Sequence, residues 1–391
     1  MSERSSERGA FEASEHLKRR HRAERRFKSA CIAALAVAGV FLVVFFSSMI
    51  AAGYPAFVQT EVRVEADYTQ PDKPWLAVER DMRPFVSRSF TRMIPKKLEA
   101  NPELRGQKRT EWVLATADLD QFYKGDTNAL DPEDRDRARQ LEENGHLRLS
   151  FNHWLFTHGD SKLPEQAGLK SAIVGSIYVL ALTLAFAFPV GVMTAIYLEE
   201  FAPDNRFTQA IEININNLAA VPSILFGLLG LAIFINFFGV PRSSALAGGL
   251  TLALMTLPIV IISTRAALRA VPDAIREGGL AMGATRWQTV RDHVLPMSLP
   301  GILTGTIIGL AQAMGETAPL LLIGMIAYIP DAPTSLTEAA TVMPAQIFTW
   351  AGMPEKAYVS RTAAAILILL AVLIALNATA VYLRRRYERR W

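Results

Sequence analysis

Apolar residues in this chain fall into long, nearly unbroken runs, and only one region shows alternation at a period of two. Six runs reach or exceed the roughly twenty residues a helix needs to cross a hydrocarbon layer: 29–54, 169–198, 217–238, 245–264, 301–329 and 361–383. They predict an all-α polytopic membrane protein of about six transmembrane helices. Residues 55–168, between the first two runs, are polar enough to fold in water. There Val62, Val64 and Ala66 alternate with charged residues, as in a half-buried strand. Asp131-Pro132-Glu133 opens a helix with a cap, a first-position proline and an early acid, and Gly145 closes it. Leu147, Leu149 and Phe151 alternate again, so the segment is expected to be an α+β insertion, read as a decoration without chemistry of its own.

Charge orients the runs. The first 28 residues hold nine Lys and Arg, and the tail 384–391 adds Arg384, Arg385, Arg386, Arg389 and Arg390. The 265–300 loop carries Arg265, Arg269, Arg276, Arg286 and Arg291, whereas 239–244 has only Arg242 and 330–360 only Lys356. The positive-inside rule then predicts both termini and the 265–300 loop cytoplasmic and the insertion periplasmic. The first run is too long for a signal-peptide core, so an uncleaved anchor is expected. The net charge of +4 sits beside the spans and calls for lipid, not nucleic acid. The single cysteine, Cys31, lies in the first run, which leaves the insertion without a disulfide.

The loop between the fourth and fifth runs is too patterned for a passive connector. Asp273 is placed to cap a short helix with Pro272 in its first turn, and Gly283 to end it in a left-handed cap. Thr285 and Gln288 have capping-box spacing and begin a second helix, which Pro296 is expected to stop. Two short amphipathic helices between spans suggest a docking surface.

Catalytic constellations are missing. No Gly-x-x-x-x-Gly-Lys-Ser/Thr phosphate loop and no Gly-x-Ser-x-Gly elbow occurs. His153 and His158 lack a cysteine or clear carboxylate partner, so no metal site is expected. Polar chemistry remains inside the apolar runs. Glu316 falls about midway along 301–329, where a carboxylate is a functional candidate by default, with interhelical packing as the plain alternative. Asn214, Asn216 and Asn217 enter the third run ahead of Val221-Pro222-Ser223, either marking a broken helix beside a cavity or lying at the interface.

The loop resembles the docking loop of binding-protein-dependent ABC importer permeases, whose pattern is Glu-Ala-Ala, three residues, Gly, then nine residues to an apolar-x-Leu-Pro ending. Here it reads Glu277-Gly278-Gly279, Gly283, and His293-Val294-Leu295-Pro296. The departures are the two glycines, which weaken the helix by roughly 1 kcal/mol each, and His293. Three further stretches, Asn216–Gly227, Leu268–Pro272 and Gly315-Glu316-Thr317-Ala318-Pro319-Leu320-Leu321, look like the PstA-type subunit of phosphate importers.

The resemblance covers about 169–383 and implies a type I importer permease fold, a heterodimeric channel with a PstC-type subunit, two PstB-type ATPase subunits and a periplasmic phosphate-binding protein. It implies no cofactor in this chain, because ATP is bound by the partner ATPase. The implied docking residues are Asp273, Arg276, Glu277, Gly283, Thr285, Leu295 and Pro296. Gln312, Glu316, Thr317 and Asn217 are candidates for the translocation path. Many relatives carry arginine where this chain has Gln312, so cationic help for phosphate is expected from the partner subunit. A permease for another oxyanion is the main competitor. A secondary transporter would need coupling-ion sites and repeat symmetry, and an anchored sensor would need only one or two spans.

Overall fold

The computed structural model describes residues 3–126 and 129–387. Met1, Ser2, Thr127, Asn128 and residues 388–391, with Arg389 and Arg390 of the basic tail, lie outside the described residues. Helix α1 (Glu3–Gly53) carries the basic tail and the first apolar run as one element. No glycine or proline interrupts it between Gly9 and Gly39, so the change from charged to apolar at residue 28 is not a structural break.

Residues from Gly53 onward form a separate compact unit. Its insertion contains β1 (Val58–Asp67), α2 (Arg88–Ala100), β2 (Lys108–Leu114), α3 (Ala117–Tyr123), α4 (Pro132–Glu143), β3 (Leu147–Phe151) and α5 (Trp154–Thr157). The sheet is antiparallel with order β2-β1-β3, and Val62 stands opposite both Val113 and Leu147. The period-two reading holds for β1, whose Val62 and Val64 are buried with Leu119, Phe122 and Ala138 of α3 and α4, and whose Ala66 is buried with Ile94 and Leu98 of α2. It fails for β3. Leu147 is buried, but Leu149 and Phe151 are exposed. In place of a core, Phe151 stacks on Phe156 at 6.1 Å, and Phe156 stacks on Phe57 at 6.3 Å. Helix α4 starts with Pro132 and is followed by Gly145 at φ +67°, although Asp131 makes no side-chain cap bond.

The membrane region contains α6 (Lys170–Ile196, extended by a π-turn to Phe201), α7 (Arg206–Ala219), α8 (Ser223–Gly230, extended by a π-turn to Phe237) and α9 (Ala245–Arg269). Then follow α10 (Asp273–Ala281), α11 (Arg286–Thr289), α12 (Leu295–Gly315), α13 (Ala318–Leu322), α14 (Met343–Ala351) and α15 (Ala357–Tyr387). Among the described residues five helices are long and apolar enough to cross a membrane, or six if the bent pair α7–α8 counts as one span. Helix α9 is the most buried of them and packs on α6 and α12 through small side chains. A Cβ at Gly249 would lie 2.4 Å from Leu182 Cβ, an approach that only a small-residue interface permits. The insertion is anchored on this bundle by Trp350 Nε1 donating to Asp160 Oδ1 at 2.8 Å and Tyr358 OH donating to the Ser161 carbonyl at 2.6 Å.

Two runs differ from their predicted form. The 217–238 run is not one helix, because α7 ends at Ala219 and α8 leaves it at 103° after Pro222. The 301–329 run stops at Gly315, where Glu316 turns to extended backbone at ψ 122°. Pro319 follows three residues later, and its ring and missing N–H cannot continue the α12 ladder.

Candidate coupling surface and broken-helix site

Helices α10 and α11 form as the local chemistry demands, with one change of register. Pro272 is the N-cap of α10 and Asp273 its first helical residue, so Asp273 does not cap the helix. Its carboxylate instead accepts from Arg276 Nη1 at 3.2 Å. Proline's fixed φ suits that entry, and an acid in the first turn complements the helix dipole. Gly283 adopts φ +83°, the left-handed conformation predicted for it. Thr285 and Gln288 complete their capping box.

Pro296 does not stop the second helix. A π-turn over Val290–Val294 bonds the Leu295 N–H to the Val290 carbonyl, which places Pro296 in the second position of α12. There its absent donor falls where the hydrogen-bond register has already shifted, so 286–315 runs as one rod.

Arg276 is the centre of this surface. Its Nη2 donates to Glu200 Oε1 at 2.7 Å and to the Leu268 carbonyl at 2.9 Å, while Nη1 donates to the Val271 carbonyl at 2.8 Å. The Glu200 side chain is only 5% exposed. One guanidinium thus ties α10 to the end of α6 and to two backbone carbonyls at the α9–α10 junction. The Glu200 hydrogen bond raises the Arg276 pKa above its ordinary value, against the opposing effect of burial. Beside it, Glu199 accepts from Arg265 Nε at 3.1 Å and Arg269 Nε at 2.7 Å, and Glu212 of α7 accepts from Arg265 Nη2 at 2.6 Å. Arg276 lies in the expected docking loop, and its guanidinium is bonded inside the chain. Glu277 is exposed, as are Leu280, Trp287 and Met282, the last at 88%. Leu295 is half-buried and Pro296 exposed.

Sequence reasoning missed Glu199 and Glu200. Their signal was present, two acids closing an apolar run opposite a loop rich in arginine. Sequence reasoning also missed the exposed Leu280, Met282 and Trp287, whose visible trace was their place on short polar helices.

The second arrangement is where two spans break. Gly227 of α8 lies so close to α13 that a Cβ there would meet Pro319 Cα at 2.7 Å. The break at Pro222 and the break at Glu316–Pro319 are thus held together through Gly227, over a core of Phe226, Ala313 and Leu320. Gln312 is exposed, while Glu316 and Thr317 are half-buried. Glu316 therefore stands at a helix end instead of midway along a span. Among the described residues it has no ion pair or side-chain hydrogen bond. Asn217 is exposed at the end of α7, and no hydrogen bond joins it to Gln312, Glu316 or Thr317. No cluster of three or more His, Cys, Asp or Glu that could hold a metal occurs among the described residues.

A profile described as binding-protein-dependent transport system inner membrane component matches residues 187–390, and one for a domain of unknown function matches 14–74. The chain belongs to the first of these families, the inner-membrane permease subunits of binding-protein-dependent ABC importers. Among its relatives it is 33% identical over 224 residues to phosphate transport system permease protein PstA 1 of Mycobacterium tuberculosis (strain CDC 1551 / Oshkosh), covering 57% of this chain and 73% of that protein. It is also 34% identical over 178 residues to the probable ABC transporter permease protein YqgI of Bacillus subtilis, covering 46% of this chain and 60% of the relative. The solved inward-facing MetNI methionine ABC transporter aligns with a TM-score of 0.45 at 19% identity, over 56% of this chain and 97% of that one.

Proposed function

We propose that the chain is the PstA-type half of an ATP-driven phosphate importer. The observation that carries the substrate is the similarity to a permease named for phosphate transport, 33% identical over 224 residues. In this reading a PstC-type subunit completes the channel, two PstB-type ATPases bind and hydrolyse ATP, and a periplasmic binding protein delivers phosphate. The chain itself needs no cofactor. Both termini and the α9–α12 connection face the cytoplasm, and residues 55–168 face the periplasm.

Coupling follows from how α10 is held. Glu277, Leu280, Met282 and Trp287 offer a mixed apolar and acidic surface to the ATPase, ordered by Asp273, Gly283 and Thr285. Movement imposed on α10 passes through Arg276 to the ends of α6 and α9, because a buried ion pair backed by carbonyl contacts transmits displacement without slack. Leu295 and Pro296 extend that movement into α12, which ends at Gln312 and Glu316.

At the helix breaks Gln312, Thr317 and Asn217 offer neutral polar contact, suited to a passage that must also release its substrate. Glu316 would repel a phosphate dianion, so it is assigned to a cation of the partner subunit and not to the substrate. Uptake of radiolabelled phosphate by cells lacking their own importers, with this chain and its partner subunits supplied, tests the reading. Phosphate uptake that excess sulfate or molybdate fails to suppress is expected. Uptake of another oxyanion with none of phosphate would retire the substrate assignment and leave the coupling argument standing.

A further inference from the structure

Strand β2 lies at one edge of the insertion's sheet and pairs only with β1. Along an antiparallel strand, one residue turns its N–H and C=O to the inner neighbour and the next turns them outward. The Leu114 carbonyl points outward, where it accepts from the Ser87 N–H at 2.9 Å. Thr110 and Trp112 share that direction, and among the described residues no hydrogen bond reaches their outward backbone groups.

Helix α2 runs beside this open edge, and a groove separates the two. One compartment of about 510 Å³ is lined by Phe90, Met93, Trp112, Leu114 and Trp154, with Gln59 in its wall. A second of about 380 Å³ continues the groove towards Arg109, sharing Lys97, Asn101 and Glu111 with the first. Gln59 is only 6% exposed, and its Oε1 has no hydrogen-bond partner. A buried acceptor left open is uncommon and points to a donor supplied from outside.

Charge states which kind of occupant fits. Lys96 and Arg109 line the groove with no ion pair among the described residues, against Glu103 alone of its acids, because Glu61 and Glu111 are paired with Arg148 and Lys97. Residues 88–109 carry seven Lys and Arg against two Glu. Basic side chains alone are an ordinary way to guard an edge strand, but guarding requires neither an apolar compartment nor an unmet acceptor.

We propose that this groove receives an extended, acidic segment of a partner protein, added as a fourth strand on β2. The segment's main chain pairs with Thr110 and Trp112, its apolar side chains fill the space between Met93 and Trp112, and its carboxylates meet Lys96 and Arg109. A donor from the segment satisfies Gln59. This proposal rests on the insertion alone and stands apart from the substrate assignment.

The probe is a dye-labelled peptide of about ten residues, alternating glutamate with valine or isoleucine. It is titrated by fluorescence anisotropy into the full chain in nanodiscs of neutral lipid. Saturable binding is expected, weakened about tenfold or more by a central proline in the peptide, by lysine in place of glutamate, and by Thr110→Pro in the protein. The bound peptide should also slow hydrogen exchange at the Thr110 and Trp112 amides. Thr110→Pro removes an N–H that the sheet does not use, and unchanged exchange at Val62 and Val113 verifies that its fold is retained. Absence of saturable binding, or binding indifferent to the central proline, overturns strand addition. Equal binding of the lysine peptide overturns the acidic occupant.

Discussion

The two ends of the membrane bundle treat their carboxylates in opposite ways. Where α6, α7, α9 and α10 meet, Glu199, Glu200 and Glu212 are each bonded to an arginine of the same chain. At the break after α12, Glu316 has no such partner among the described residues, and Gln312 beside it is exposed. The first region is bonded within one chain, as the proposed joint between α10 and the ends of α6 and α9 requires. The second leaves its carboxylate without a bond inside the chain, which in the proposed channel a second subunit or the passage itself would supply. A charge partnered internally holds parts together, whereas a partly buried charge without a partner marks a surface waiting for one.

The largest expected effect comes from breaking the joint. Glu200→Ala leaves Arg276 half-buried with only the exposed Asp273 as a counter-charge; removing one side of a buried pair costs about 3–5 kcal/mol, and the exposure of Arg276 and its remaining partner place this case towards the lower end. Transport should be abolished while the protein remains in the membrane, and limited proteolysis should cut within 273–283. The double variant Glu200→Ala/Arg276→Met should regain protease resistance, because no charge is left stranded. Uptake and proteolysis both unchanged in the single variant would remove the joint from the mechanism.

Glu316 sharpens the other half of the contrast. Glu316→Gln keeps shape and hydrogen-bonding capacity but would unbalance the cation proposed for the partner subunit, so normal assembly with strongly reduced uptake is expected. Gln312→Ala removes only neutral contacts and should reduce uptake less. Wild-type uptake by membrane-matched Glu316→Gln would make this residue packing glue.

The coupling surface should respond in graded fashion. Gly283→Pro cannot adopt φ +83° and should uncouple ATP hydrolysis from uptake, as should Glu277→Arg by reversing an exposed charge. Gly283→Ala forces a left-handed alanine, a strain of about 1–2 kcal/mol, and should only lower the rate. ATPase activity and uptake measured on the same vesicles separate uncoupling from loss of assembly, and normal coupling in both severe variants would move the docking surface elsewhere.

The smallest functional effect is expected from labelling variants. A cysteine replacing exposed Arg92 should react with an impermeant thiol reagent in intact cells, whereas one replacing Ala284 should react only after permeabilisation. The reverse pattern would exchange the two faces of the membrane and break the comparison at its root.

Much of this molecule was legible in one dimension. Apolar run length announced the spans, because a helix crossing lipid must satisfy its backbone within itself and needs no distant partner. Local rules likewise predicted the left-handed Gly283, the Thr285–Gln288 capping box and the alternation of β1, since each depends on residues within a few positions. What depended on distant contacts stayed hidden. Leu149 and Phe151 follow the same period as β1, and only the placement of α3 and α4 shows that nothing covers them. Pro296 obeys its local rule yet interrupts nothing, because the π-turn before it has already moved the hydrogen-bond register. Glu316 looked central to a span until the chain was seen to break there against Gly227. The pairing of Arg276 with Glu200, 76 residues away, was decided by tertiary structure alone: sequence specifies which charges exist, but only the packed helices determine which of them meet.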